Sequence, residues 1–159
     1  MLVESSRPFY WISGILILSL AGIVAYTQYQ KIADKNSITI FTLAGPVKVR
    51  VELAKTAQEL EIGLMNRDSL EANRGMFFIF SSEQPRNFWM KDTLIPLDII
   101  FISSTGRVNE MTTQKPCPEI GICPVYESKS PARYVLEINA GQAEKWNITA
   151  GDIVELPKF

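Results

Sequence analysis

Short runs of β-branched and aromatic residues, separated by glycine, proline, serine and asparagine, restrict the fold of this sequence more than any other feature. In VKVRVEL (47–53) apolar and charged residues alternate, which is the period of a strand with one buried face. Strand-like content recurs along the chain in SITIFTL (37–43), MFFIF (76–80), FWM (88–90), LDIIFI (97–102), YVLEIN (134–139) and DIVEL (152–156).

One short helix is expected among these strands, because Thr56 and Glu59 have the spacing of a capping box. Many short strands separated by turn signals are typical of antiparallel all-β architectures. The sequence therefore predicts a mainly β (α+β) domain, either an antiparallel β-sandwich or a partly closed barrel with one short helix.

The amino-terminal segment is long and uncharged. Residues 8–30 contain no charged side chain, and about 20 apolar helical residues suffice to cross a bilayer. Aromatic residues lie at both ends of this segment, and Arg7 and Lys31 flank it, which is typical of a membrane-spanning helix. A cleaved signal peptide is the alternative, since 19–21 (SLA) and 23–25 (IVA) offer small residues at plausible cut sites, and a buried soluble helix is a third. We predict a membrane anchor or signal segment over 1–30, a polar stalk over 31–37 and one β domain over 38–159.

The two cysteines indicate a compartment. Cys117 and Cys123 lie in KPCPEIGICP, where prolines and Gly121 can bend the chain enough for a disulfide. Two inert reduced thiols are the alternative. Because disulfides persist in oxidising compartments, we expect a single-pass protein of the cytoplasmic membrane with its C-terminal domain on the extracytoplasmic (periplasmic) side, or a protein exported after signal cleavage.

The composition excludes several classes of function. The chain has no histidine, which excludes Ser-His-Asp and Cys-His nucleophiles and histidine-containing zinc sites. Its 16 Lys and Arg residues nearly balance 17 Asp and Glu residues, so we expect no nucleic-acid partner. No metal site, cofactor or catalytic residue is predicted. The expected partners are the lipid bilayer, through residues 8–30, and an envelope protein or glycan.

Several motifs in series resemble one family. They are GLMNRDSL (63–70), RGMFFIF (74–80), FWMKDTLIPLDIIFI (88–102), YVLEINAG (134–141) and ITAGDIVEL (148–156). In order and spacing the chain resembles the prokaryotic domain of unknown function 192 (DUF192) over nearly all of residues 38–157. Small departures are Phe77 in place of the usual leucine and Asp92 in place of the usual asparagine. The resemblance implies a compact, mainly β domain with one helix, often behind an export signal or anchor. It implies no activity and no site residues.

Charged residues interrupt the apolar hairpin sequence NFWMKDTLIPLDIIFI (87–102). On a strand, Asp98 shares a side with large apolar residues, where an ionised carboxylate needs a cation or several hydrogen bonds. An acid held by basic groups beside Trp89 would form a recess suited to a small polar ligand. We therefore predict a ligand-binding site formed by Arg67, Trp89, Lys91 and Asp98.

Each of these residues also has a plainer structural interpretation. Asp98, close after a proline, can tie down a turn, and Lys91 at a hairpin tip is usually solvated. Trp89 can belong to the core, and Arg67 can bond carbonyls at the end of a helix. Glu137, between apolar neighbours in YVLEIN, is expected to face the surface.

The leading hypothesis for function is a membrane-anchored, extracytoplasmic accessory domain that binds a small polar ligand, a glycan or a protein partner. The rival is a hydrolase or transferase acting on envelope material, with Asp98 or Glu137 as acid or base and Lys91 or Arg67 stabilising an anion. Two carboxylates about 5–10 Å apart across a cleft would favour the rival. A structural assembly module with an exposed apolar patch is the third hypothesis.

Overall fold

The computed structural model describes residues 36–156 of the 159. The predicted anchor or signal segment over 1–30 and nearly all of the predicted stalk lie outside the described residues. Within 36–156, no helix is both long enough and apolar enough to cross a bilayer.

Nine strands and two short helices make up the described domain. In chain order they are β1 (Ser37–Thr42), β2 (Gly45–Ala54), α1 (Ala57–Ile62), β3 (Arg74–Gln84), β4 (Asn87–Trp89), β5 (Leu97–Ile102), β6 (Val108–Gln114), β7 (Val125–Glu127), β8 (Ala132–Asn139), α2 (Gln142–Lys145) and β9 (Ile153–Glu155). The mainly β prediction is confirmed, with a second short helix beside the expected one.

Seven of the strands form one curled sheet. Their order is β6-β5-β8-β3-β2-β1-β9, and all neighbours are antiparallel except β2 and β3, which are parallel. The ends of this order meet, because Arg107 bridges Ile153 and the Val108 N–H donates to the Asp152 carbonyl at 2.8 Å. The sheet is therefore a half-barrel, which selects the partly closed barrel over the sandwich. Strands β4 and β7 form a separate ribbon.

Apolar side chains cover both faces of this sheet. The cluster inside the curl draws on both ends of the strand order and includes Ile40, Val49, Phe77, Ile100, Leu136 and Val154. The outer cluster packs under α1 and the β4–β7 ribbon and includes Leu64, Phe78, Met90, Ile99, Phe101 and Val135. Burying such a side chain stabilises the fold by roughly 1.5–3 kcal/mol. Strand β5 is consequently buried along its whole length.

Helix α1 begins and ends for local reasons. The Glu59 N–H donates to Thr56 Oγ1 at 3.2 Å, and the Thr56 N–H donates to Glu59 Oε2 at 2.9 Å, so the predicted capping box is present. The helix ends at Gly63, whose φ of 51° and ψ of −130° suit only glycine. Leu60 and Leu64 attach it to the outer cluster.

The loop between β6 and β7 is closed by a disulfide between Cys117 and Cys123, with the Cα atoms 5.0 Å apart. The predicted bridge is therefore present. Strand β7, which follows it, is absent from the sequence prediction. It consists of three residues that pair with β4, so a partner distant in sequence stabilises it rather than a strong local pattern.

Candidate functional site

Two buried carboxyl groups occupy neighbouring strands at the centre of the sheet. In the β5–β8 pairing, Asp98 lies opposite Ile138, and Ile99 lies opposite Glu137. Paired residues share a face of a sheet, and successive residues alternate between faces. Asp98 therefore faces the inside of the curl, whereas Glu137 faces the outside.

Asp98 is 2% exposed and fully engaged in hydrogen bonds. Its Oδ1 accepts from the Thr113 hydroxyl at 2.7 Å, and its Oδ2 accepts from the Ala143 N–H at 2.9 Å. Ala143 is in the first turn of α2, so the carboxylate satisfies a free helical N–H from a distant strand. Asp98 thus joins β5, β6 and α2 rather than a local turn, and its partners are a hydroxyl and a backbone amide rather than Arg67 or Lys91.

Glu137 is in a different situation. It is 5% exposed, and none of the residues in 36–156 donates a hydrogen bond to its carboxyl group or forms an ion pair with it. Burial raises the pKa of Glu137 to about 8, since desolvation disfavours the charged form. The expectation that Glu137 faces the surface is wrong, because the outer cluster covers the second face of β8 as well.

The Glu137 carboxyl lines a partly open cavity of about 210 Å³ on the outer face. Cavities near 150 Å³ already admit a benzene-sized molecule. Its lining comes from α1, the following loop, β3, β4 and β8: Leu60, Glu61, Ile62, Gly63, Leu64, Met65, Phe78, Phe80, Asn87, Phe88, Trp89, Thr93 and Glu137. We call this space the Glu137 cavity.

Gly63 keeps the Glu137 cavity open. A Cβ atom at this position would lie 3.1 Å from Cζ of Phe78 and 3.8 Å from Oε2 of Glu137. The first distance is tighter than ordinary van der Waals contact, so a side chain here would displace the ring and occupy the space in front of the carboxyl. The glycine that ends α1 therefore also shapes the site.

Interlocking aromatic rings make one wall. Phe88 stands edge-on to Phe78, with ring centroids 5.3 Å apart, and edge-on to Phe80 at 6.4 Å. It also meets Phe101 of the outer cluster at 5.7 Å. Edge-to-face pairs of this kind are favourable beyond their buried area, so the wall is held in place by packing.

The predicted site residues divide between the two faces. Trp89 is 44% exposed and lines the Glu137 cavity, and Lys91 Nζ lies 5.3 Å from the centroid of the Trp89 ring. Arg67 lines an adjoining hollow and donates two hydrogen bonds to Glu52, at 2.5 and 2.7 Å, which lower the pKa of Glu52. These three residues are on the outer side, and Asp98 is separated from them by the sheet.

Comparison with known proteins confirms the family that the motifs indicate. Residues 39–156 match the sequence profile of DUF192, described as "Uncharacterized ACR, COG1430". The chain belongs to this family. No curated protein matches it.

Two solved structures are similar to the DUF192 domain. A protein of Sinorhizobium meliloti 1021, described as a candidate transcription regulator, is 34% identical with a TM-score of 0.69, over 75% of this chain and 91% of that one. A protein of unknown function from Novosphingobium aromaticivorans DSM 12444 is 36% identical with a TM-score of 0.69, over 76% of this chain and 84% of that one.

Glu137 and Gly63 are the residues of the DUF192 domain that sequence reasoning did not join into a site. Each lies in a stretch that carries the family resemblance, YVLEINAG and GLMNRDSL. The sequence shows only a glutamate between apolar residues in β8. Alternation along a strand predicts that such a residue faces outward. The covering of that face by α1 and β4 is a long-range contact that no local pattern indicates.

Proposed function

We propose that this DUF192 domain is a binding domain for a small ligand and that its site is the Glu137 cavity. One observation carries the proposal: an unpartnered, buried carboxyl group lines a partly open, aromatic-walled space. A few convergent polar groups in an apolar cleft are the usual form of a ligand site. A ligand group that hydrogen-bonds to the Glu137 carboxyl would supply the partner that the described residues do not.

The expected setting is part of the proposal. We propose that the domain is displayed on the extracytoplasmic side of the cytoplasmic membrane, either behind an anchor over residues 8–30 or free after signal cleavage. The disulfide between Cys117 and Cys123 supports an oxidising compartment. Recovery of the chain in the membrane fraction with an intact amino terminus would support the anchor. A mature chain that starts near residue 22 or 26 would instead support export after signal cleavage.

A second candidate function is acid catalysis at the same cavity. With a pKa of about 8, Glu137 holds a proton at neutral pH that it could donate to a leaving group. Asp98 does not complete a two-carboxylate pair, because the sheet lies between them; the other carboxylate at the cavity is Glu61. Turnover of a bound compound, lost in Glu137→Gln, would favour this candidate over binding alone.

Exposed apolar residues of the β4–β7 ribbon and the disulfide loop are a candidate surface for the assembly hypothesis. Trp89 pairs with Val125 across the β4–β7 ribbon, and both are exposed. Ile120 and Ile122, inside the disulfide loop, are each 92% exposed. A protein partner covering these residues remains an alternative use of this side of the domain.

The test uses the full-length chain in lipid nanodiscs and three probes of similar size: n-butanol, butyrate and n-butylammonium. We expect at least one probe at millimolar concentration to shift the methyl NMR signals of the cavity residues Leu64 and Met65, but not those of Ile100 inside the curl. Gly63→Ala should weaken these shifts. If no probe shifts the cavity methyls, or Gly63→Ala leaves the shifts unchanged, the proposed site is refuted.

A further inference from the structure

The charge of the Glu137 cavity has one sign. Among the described residues that line it, the ionisable side chains are Glu61 and Glu137, and none is a lysine or an arginine. An anionic ligand would meet repulsion from the Glu61 carboxylate, and no cation among these lining residues offsets it. The lining therefore selects against negatively charged ligands.

Three cations on this side of the domain are already engaged. The Arg86 guanidinium lies over the Phe80 ring, 3.9 Å from its centroid, and donates to the carbonyls of Ala132 and Ser82. The Arg67 guanidinium is paired with both carboxylate oxygens of Glu52. The Lys91 ammonium lies over the indole ring of Trp89. In the described chain, none of these groups forms an ion pair with Glu137, so a positive charge in front of this carboxyl has to come from a ligand.

The walls are also suited to a positive charge. Four aromatic side chains line the cavity, namely Phe78, Phe80, Phe88 and Trp89. Phe80 and Trp89 each already have a cation of the domain over the ring, whereas Phe78 and Phe88 have none among the described residues. The negative face of an aromatic ring attracts a cation, with a stabilisation of about 0.5–2 kcal/mol that grows as water is removed. Aliphatic and aromatic surface in the same space accommodates a short apolar stem behind the charged group.

We infer that the Glu137 cavity binds an ammonium group carried on a short apolar stem, with the Glu137 carboxylate as its counter-ion and the aromatic wall around it. This inference rests on the proposed function, because it names the ligand class of that site. A free alkylamine and the end of a lysine-like side chain in a peptide share this chemistry.

Proton release accompanies such binding. The empty site favours the protonated carboxyl, since burial raises the pKa of Glu137 to about 8, and an ammonium ligand favours the carboxylate. Few other charges face Glu137 from the elements around it. Helix α1 supplies Glu61, and Glu52 of β2, paired with Arg67, lies beyond Met76 in the same cross-strand row. On either side of β4, Arg86 lies over the Phe80 ring and Lys91 over the Trp89 ring. Ile99 stands opposite Glu137 on β5. One proton should therefore leave for each amine bound near pH 7.

The experiment measures binding of n-butylammonium to the full-length chain in nanodiscs by titration calorimetry, in phosphate and in MOPS, neither of which contains a primary ammonium group. Because the two buffers differ in ionisation enthalpy, the difference in apparent enthalpy counts the protons released. We expect n-butylammonium to bind at least about tenfold more tightly than n-butanol or butyrate, with proton release near one. Glu137→Gln should remove the preference and the release, whereas Glu61→Gln should reduce affinity without abolishing release.

The possible outcomes separate the two proposals. Equal binding of n-butanol and the amine, or amine binding without proton release by the wild-type chain, would overturn the ammonium inference while leaving a small-ligand site in place. Failure of every probe to reach the cavity methyls would overturn both. The number of protons released is measured on the wild-type chain, so it tests the ammonium inference even if Glu137→Gln folds poorly. Comparison with Nα-acetyl-lysine methylamide distinguishes the sources: tighter binding than n-butylammonium indicates a peptide side chain, and weaker binding a free amine.

Discussion

Asp98 and Glu137 lie on adjacent strands, but their carboxyl groups face opposite sides of the sheet. One carboxyl accepts hydrogen bonds from Thr113 and Ala143, and the other has no partner in the described chain. The sheet between them rules out joint action on one substrate atom. Both Asp98 oxygens are thus satisfied within the domain, at the edge of a separate hollow of about 380 Å³ that Thr113 and Ala143 also line. Substitutions should separate the structural contribution of Asp98 from the proposed ligand contact of Glu137.

Asp98→Asn should destabilise the domain without altering the Glu137 cavity. If the amide oxygen keeps the hydrogen bond from Thr113, the amide NH₂ meets the Ala143 N–H, so two donors face each other. We expect a loss of about 1–3 kcal/mol in the free energy of unfolding. Urea unfolding measures the loss, and the methyl NMR titration checks that probe binding persists.

Thr113→Val is the matched control for Asp98, since it removes one of the same two hydrogen bonds while preserving shape. It should cost about 1 kcal/mol. Loss of probe binding in Asp98→Asn at unchanged stability would contradict the structural assignment and return Asp98 to the ligand site.

The free energy of unfolding of the domain should fall as pH rises from 4.5 to about 8, because Glu137 titrates over different ranges in the unfolded and folded states. Its pKa is 4.5 in the unfolded reference and about 8 in the folded domain, so between these values the folded state holds a proton that the unfolded state lacks. The stabilising contribution is thus complete below pH 4.5 and is lost as pH approaches 8, with a slope of at most about 1.4 kcal/mol per pH unit.

Urea unfolding measures the free energy of unfolding of the wild-type chain and of Glu137→Gln at intervals between pH 5 and 8. The difference between the two free energies at each pH is the contribution of Glu137. The amide does not titrate, so the variant lacks the slope. Glu52 does not interfere, because hydrogen bonds from Arg67 lower its pKa below 4.5 and its contribution is lost only at more acidic pH. A wild-type chain that gains stability relative to the variant as pH rises would show that Glu137 is charged in the fold.

Gly63→Ala should destabilise the domain more than Gly45→Ala does. Both glycines have positive φ, 51° and 121°, so each substitution carries a backbone cost of about 1–3 kcal/mol. Only at Gly63 does the new methyl also press on Phe78, since nothing lies within 4 Å of the corresponding atom at Gly45. Thermal unfolding compares stability, and probe titration compares access to the cavity. Equal effects of the two variants on probe binding would remove Gly63 from the site.

Removing the disulfide should affect stability and leave the ligand site intact. Cys117 and Cys123 are six residues apart, and a loop of this size contributes about 2 kcal/mol in the chain-entropy description. We expect the double variant Cys117→Ser, Cys123→Ser to lose about this amount in denaturant unfolding. Alkylation of the native chain followed by mass measurement should find no free thiol; two alkylated cysteines would argue against an oxidising compartment.

The outline of the fold was predictable because its causes are local. Alternation in β2, β-branched runs in β5 and β8, and the hydrogen-bonding spacing of Thr56 and Glu59 act within a few residues. These signals predicted the main strands, the start of α1 and the mainly β class, and the series of motifs indicated the DUF192 family.

The candidate site was not predictable in the same way, since it depends on contacts between distant parts of the chain. A period of two tells which residues of β8 share a face, but only the packing of α1 and β4 decides that the face of Glu137 is covered. Likewise, Asp98 obtains its hydrogen bond from Ala143, 45 residues away. The sequence alone determined the main strands, through backbone preference and periodicity, whereas β7 depends on its pairing with β4. The tertiary structure alone decided which carboxyl is satisfied and which lines a cavity, because burial and hydrogen-bond partners depend on what packs against each face.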